Sequence, residues 1–261
     1  MPSVYTHYVF ADECISKLPE RLRSIVEKNR KFYDLGQSGA DLLFYYKPYK
    51  SNNIRKYGSA VHRIKANELF YSYRSIAEGS LFPERDVAYL AGFFTHFILD
   101  SAMHPYIWKC DRDNIARHFV IEVDYDRKLL LRDNQNPFSE KFLEYQKVDE
   151  EVCEIAAKYL QTTPKIISKI LKSRKKFTHL ISTQNVFVRG LLNFLFKISK
   201  NPLALDILIQ KEENPDCKEI SKELDKIFAN ALSSITVYGA EFEKFLLDRG
   251  MLGKRFEVDF E

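Results

Sequence analysis

The chain has 261 residues, 45% of them hydrophobic, enough to bury a substantial core, which excludes a disordered or fibrous protein. Its net charge of +4, from 40 basic and 36 acidic residues, is too mild for a dedicated nucleic-acid binder and is compatible with an anionic small ligand. With 20 Phe and 15 Tyr against 9 Gly and 9 Pro, the composition disfavours a sandwich of short, tightly turned strands and favours helices.

The opening segment MPSVYTHYVFADE has no basic region, apolar stretch or small-residue cleavage site, so no signal peptide is expected and the chain reads as cytoplasmic. Helical signals run from Phe10 to Lys17, then restart at Pro19, a residue tolerated in a first turn, and continue to about Tyr33. Gly36-Gln37-Ser38-Gly39 reads as a tight turn, and apolar spacing resumes after Tyr57 through Val61, Ile64, Leu69 and Tyr73. Pro83, with Glu84 and Asp86, opens a long helix that Pro105 is expected to close. Asp113 or Asn114 is placed to cap the next helix, RHFVIEVDY, and further helices are expected after Ser139, Asp149, Thr163-Pro164, Thr178 and Pro215.

No internal repeat is present, and the polar stretch from Arg132 to Pro137 is an ordinary connection, so the expectation is one all-α domain over residues 1–261. The most apolar run, VFVRGLLNFLF, is interrupted by Arg189 and falls short of the roughly 18 residues of a membrane span. Cys14, Cys110, Cys153 and Cys217 form no C-x-x-C pair, so neither a zinc ribbon nor a redox motif is indicated.

The histidines are distributed unevenly, with all but His179 at or before His118. His96 and Asp100 stand four apart on an apolar helix, so their side chains emerge on one face, a turn apart, where one cation can bridge them. His104 continues that face, and Pro105 behind it lets the chain bend and aim the imidazole at a second ion. His118 and Glu122 repeat the spacing on the following helix. Imidazole and carboxylate are zinc ligands, and two or more neighbouring ions can clamp a phosphoryl group and activate water.

The order THYVFA, GAD, VH, HFILDSAMHP and HFVIE resembles the zinc-dependent phospholipase C family and its relatives among the single-strand nucleases, over roughly the first half of the chain. The resemblance implies an all-helical fold and a hydrolase carrying about two to three zinc ions. It implies that Asp41, His62, His96 and Asp100 hold one zinc, that His104, His118 and Glu122 hold a second, and that Asp100 bridges to a third together with His7. Asp41 would also orient or deprotonate the attacking water. Secreted members complete the third site with a terminal tryptophan, which this sequence does not supply; removal of Met1 would instead place the Pro2 amine five residues before His7. The substrate implied is a phosphoester, by preference a phospholipid, with nucleic acid as substrate only under the nuclease alternative.

Simpler readings stand beside these. Asp41 fits the cap of a short helix beginning at Leu42, His7 fits a loose terminus, and His179 has no partner pattern and reads as structural. The aromatics Phe44, Tyr45, Tyr46, Tyr49 and Tyr57 fit core packing or a substrate mouth, and the basic run SRKKF reads as a solvated helix end. Other helical metal proteins fit worse, because the chain has no His-Asp dipeptide, no H-E-x-x-H and no E-x-x-H. A metal-binding but non-catalytic protein on the same fold is the remaining alternative.

Overall fold

From Asp86 to Asp100 every side chain of the helix Pro83–Arg112 is buried, so this stretch needs neighbours on all sides. The computed structural model, which describes residues 4–81, 83–198 and 206–261, supplies them. In chain order the helices are α1 (Val4–Ile15), α2 (Glu20–Lys28), α3 (Arg30–Gly36), α4 (Asn53–Val61), α5 (Ala66–Glu78), the central α6 (Pro83–Arg112), α7 (His118–Arg132), α8 (Glu150–Tyr159), α9 (Pro164–Ile181), α10 (Val186–Ile198) and α11 (Lys218–Leu247). Short 3-10 helices cover Gly39–Tyr45, Glu140–Tyr145, Pro215–Cys217 and Lys254–Phe256. The fold is all-α; no strand occurs among the described residues. Helices α1, α2, α3, α5, α7, α8 and α11 all pack on α6.

Several boundaries follow their capping residues. Ser139, Asp149 and Thr163 accept hydrogen bonds from the backbone N–H groups of Lys141, Val152 and Ile166, and each opens a helix as expected. Several expectations need correction: the helix expected from Pro19 to about Tyr33 is two, α2 and α3, because the backbone of Asn29 leaves the helical region at φ −118° and ψ 32°. Helix α1 begins at Val4 rather than Phe10, because Asp126 of α7 accepts from the amides of Tyr5 and Thr6 and caps it from outside. Asp113 and Asn114 form a turn rather than a cap, and α7 begins after Arg117 with no side-chain cap. Thr178 lies inside α9, and the next helix starts after Asn185, whose side chain accepts from the amide of Val188. Pro105 does not end α6: its ring removes one intrahelical bond, yet buried Ile107 and Cys110 carry the helix on to Arg112.

The close crossing of α3 over α6 is made by two glycines. A Cβ on Gly92 would lie 2.2 Å from the carbonyl oxygen of Tyr33, and one on Gly36 would lie 2.0 Å from that of Tyr89. Below the crossing, Phe70, Phe93, Phe94, Phe97, Phe242 and Phe256 form a fully buried aromatic cluster joining α5, α6, α11 and the 3-10 helix Lys254–Phe256. The run VFVRGLLNFLF forms most of α10, which leaves Val186, Phe187, Leu191 and Phe194 exposed. No helix among the described residues is long and apolar enough to cross a membrane. All four cysteines are free and buried.

Candidate metal centre

Four elements converge on the middle of α6. His96, Asp100 and His104 lie on successive turns of that helix, and His7 reaches them from α1. Asp41 comes from the 3-10 helix Gly39–Tyr45 and His62 from the C-cap of α4. His118 and Glu122 lie on the first turns of α7. All eight residues singled out in the sequence are therefore brought into one region, and His179, exposed on α9, is not among them.

The side chains fall into three groups that could each hold an ion: His7, His96 and Asp100; Asp41, His62 and His96; and His104, His118 and Glu122. Within each group the ligand atoms lie within 4.8 Å of one another. Zinc bonds of about 2.0–2.2 Å bring ligand atoms to within roughly 4 Å of each other, so small adjustments suffice. His96 belongs to two groups, and Asp100 lies between them: its Oδ1 is 3.1 Å from His7 Nε2, and its Oδ2 is 3.0 Å from His96 Nε2 and 4.0 Å from His62 Nε2. His62 Nε2 is 3.1 Å from Asp41 Oδ1, and His118 Nε2 is 3.1 Å from Glu122 Oε1. Pro2 lies outside the described residues.

Local structure prepares these atoms. Gly39 adopts a left-handed φ of +51°, and a Cβ there would lie 2.1 Å from Cδ2 of His96, so the GAD turn both positions Asp41 and seats the imidazole. The ring nitrogen Nδ1 of His62 donates to the carbonyl of Gly58 at 2.7 Å, and Nδ1 of His104 donates to the carbonyl of Phe260 at 2.8 Å. Both contacts place a proton on Nδ1 and direct Nε2 toward the carboxylates, so that Nε2 becomes a ligand atom once an ion displaces its proton.

Burial by itself would raise the pKa of Asp100, but the imidazoles of His96, His104 and His7 outweigh it and hold the carboxyl well below the usual range. Burial opposes a charge on His104, and Asp100 and Glu122 reverse that effect and push it to about 9. The carboxylates Asp100 and Glu122 thus stand against a His104 that holds a proton in place of a cation, whereas burial lowers the pKa of His96. His96 Nε2 and Asp100 Oδ2 are buried, 3.0 Å apart, and each lacks a directed hydrogen bond. Buried polar atoms without well-directed hydrogen bonds are costly in a protein interior, and a divalent ion coordinated by both removes the cost. The donor set of imidazole nitrogens and carboxylate oxygens therefore fits zinc.

Two small cavities, of about 20 and 10 Å³, flank the cluster. One is lined by His7, Asp100, His104 and Glu122 with Met103, Ile107 and Tyr125; the other by His7 and Asp41 with Gln37, Ser38, Tyr45 and Arg174. A wider cleft near Arg189 and Glu213 contains none of the eight residues, and its size does not make it the chemical site. Of the aromatics between the GAD and VH segments, Tyr45 is buried at the second cavity and Phe44 stacks on His62 at 5.7 Å, whereas Tyr49 is 87% exposed.

Three contributors escape the motif reading. Asp126 stands one turn beyond Glu122 and fastens α1, and so His7, to α7 through Tyr5 and Thr6. Phe260 packs against His62 and His96 and donates its amide to the carbonyl of His62 at 3.0 Å. Arg174, read as part of a solvated helix end, is buried beside Asp41. Its spacing from Ile167, Ile170, Leu171 and Thr178 was the available signal, because those residues mark the inward face of α9.

Helices that gather histidines and carboxylates into three adjoining groups define an all-helical metal-centre protein. The chain belongs to the zinc-dependent phospholipase C family, whose match covers residues 6–195 and so includes every residue of the three groups. Comparison with curated proteins and with solved structures gave no match.

Proposed function

We propose that the chain hydrolyses a phosphodiester, by preference a phospholipid, and releases the phosphorylated head group. The observation that carries this reading is the buried pair His96 Nε2 and Asp100 Oδ2, unsatisfied and 3.0 Å apart where two of the ligand groups meet. In this reading His7, Asp41, His62, His96 and Asp100 hold ions on one side, and His104, His118 and Glu122 hold another. Bound zinc supplies Lewis-acid polarisation of phosphoryl oxygens and lowers the pKa of water.

The chain's own groups do the rest. Asp41 is the partly accessible carboxylate of the cluster, its side chain 20% exposed, and it orients or deprotonates the water that attacks phosphorus. The His62 ring, held by Gly58, keeps that carboxylate in place, and Tyr45 and Phe44 wall the approach.

The test is a substrate panel run with and without chelator: phosphatidylcholine, single-stranded DNA, RNA and nucleoside 3'-phosphates. Chelator-sensitive release of a phosphorylated head group supports the reading. Turnover confined to nucleic acid or nucleotides selects the nuclease alternative, and full zinc occupancy with no turnover on any phosphoester makes the protein a non-catalytic metal binder.

A further inference from the structure

Arg174 is 2% exposed, and a buried guanidinium requires compensation. Among the described residues it has no carboxylate within ion-pair distance. Its two hydrogen bonds go to neutral hydroxyls, from Nη1 to Ser38 Oγ at 2.8 Å and from Nη2 to Tyr145 at 2.9 Å, and its Nε has no partner. The Tyr45 ring lies 5.8 Å from the guanidinium carbon. Asp41 lines the same cavity but is directed at His62. Gln37, fully buried in that cavity, donates to Tyr145 and leaves its Oε1 without a partner.

We propose that Arg174 is the anion-recognition residue of this site, binding the non-reacting oxygens of a phosphoryl group beside Asp41 and His7; the cavity there is only about 10 Å³, so binding requires neighbouring side chains to move aside. The inference rests on the phosphoester reading for the identity of the anion. Its geometric basis is independent of that reading: a rigid five-donor fork, held open by Ser38 and Tyr145, with charge to spare and a donor unused beside the ligand cluster. A tetrahedral phosphoryl group matches that fork through paired charge-assisted hydrogen bonds. Arg174 thereby supplies what the carboxylates around it cannot, a fixed positive charge that no ligand-group acid neutralises. Ser38 and Tyr145 act on the anion only by positioning the guanidinium.

The experiment measures binding of inorganic phosphate to the zinc-loaded full chain by titration calorimetry, beside zinc content and thermal midpoint, for the parent, Arg174→Met and Arg174→Lys. Arg174→Met is expected to keep its zinc and to lose phosphate affinity on the order of 10- to 100-fold, as for loss of charge-assisted hydrogen bonds. Arg174→Lys, which keeps the charge and loses the fork, should fall between the two. Unchanged phosphate affinity in a folded, zinc-replete Arg174→Met overturns the proposal. If both variants lose zinc or fold together, Arg174 is structural and the proposal likewise fails. Arg174-dependent phosphate binding by a parent that hydrolyses no phosphoester upholds this inference and rejects the catalytic reading.

Discussion

Nδ1 of His104 donates a 2.8 Å hydrogen bond to the carbonyl oxygen of Phe260, a residue 156 positions further along the chain. The same residue donates its amide to the carbonyl of His62, so one peptide segment ties together histidines from two ligand groups. Outer partners that fix an imidazole's tautomer typically contribute about 10- to 100-fold to metal affinity. A variant lacking Phe260 and Glu261 is therefore expected to bind zinc at His104, His118 and Glu122 about 10- to 100-fold more weakly in competition with a chromogenic chelator. Phe260→Ala keeps the carbonyl and removes the buried ring, so it should lower stability by about 3–5 kcal/mol with a smaller effect on that site. Parent-like zinc affinity in the shortened chain would falsify the positioning role of this carbonyl.

Asp100 faces His7 with one oxygen and His96 with the other. Asp100→Asn keeps the shape and removes the charge that offsets neighbouring cations, so turnover is expected to fall by a factor on the order of 100 or more, with metal content falling too. His179→Gln alters an exposed residue of α9 outside the three groups and should leave both near the parent level. Elemental analysis and kinetics on the two purified variants check this. A folded Asp100→Asn with full metal and full activity contradicts it.

Gly39 combines a φ of +51° with a Cβ position 2.1 Å from the His96 ring. Gly39→Ala should therefore cost about 1–3 kcal/mol in denaturant unfolding and displace His96, with loss of zinc. Gly79→Ala serves as control, since its nearest neighbouring atom would be 3.8 Å from the new carbon. Equal midpoints for the two variants would show that the GAD turn does not seat the imidazole.

Burial raises the pKa of Asp126 to about 6, and hydrogen bonds from Thr6 and Tyr5 offset only part of that effect. An unfolded aspartate titrates near about 4, so between about 4 and 6 the folded state holds the extra proton. The contribution of this group to stability is full below that window and is lost as pH rises through it. Asp126→Asn, which does not titrate, should therefore gain in thermal midpoint relative to the parent as pH rises from about 4 to about 7, with chelator present for both proteins. A difference that stays flat or falls over that range contradicts the assignment.

Local periodicity carried the pairs His96 with Asp100 and His118 with Glu122, because a spacing of four residues fixes a shared helical face whatever surrounds it. Caps at Ser139, Asp149 and Thr163 were readable for the same reason: donor and acceptor lie within one turn. Other features depended on partners far away in the chain. Asp126 extends α1 back to Val4, buried packing carries α6 through Pro105, and burial separates Arg174 from the exposed lysines beside it. Phe260 gains its role only when the last segment crosses His62 and His104. The sequence by itself determined helical faces and ligand types, which depend on spacing and side-chain chemistry. Tertiary structure decided which faces meet, where the helices end, and which charges lie buried without a counter-charge, because those outcomes depend on contacts between residues more than a hundred positions apart.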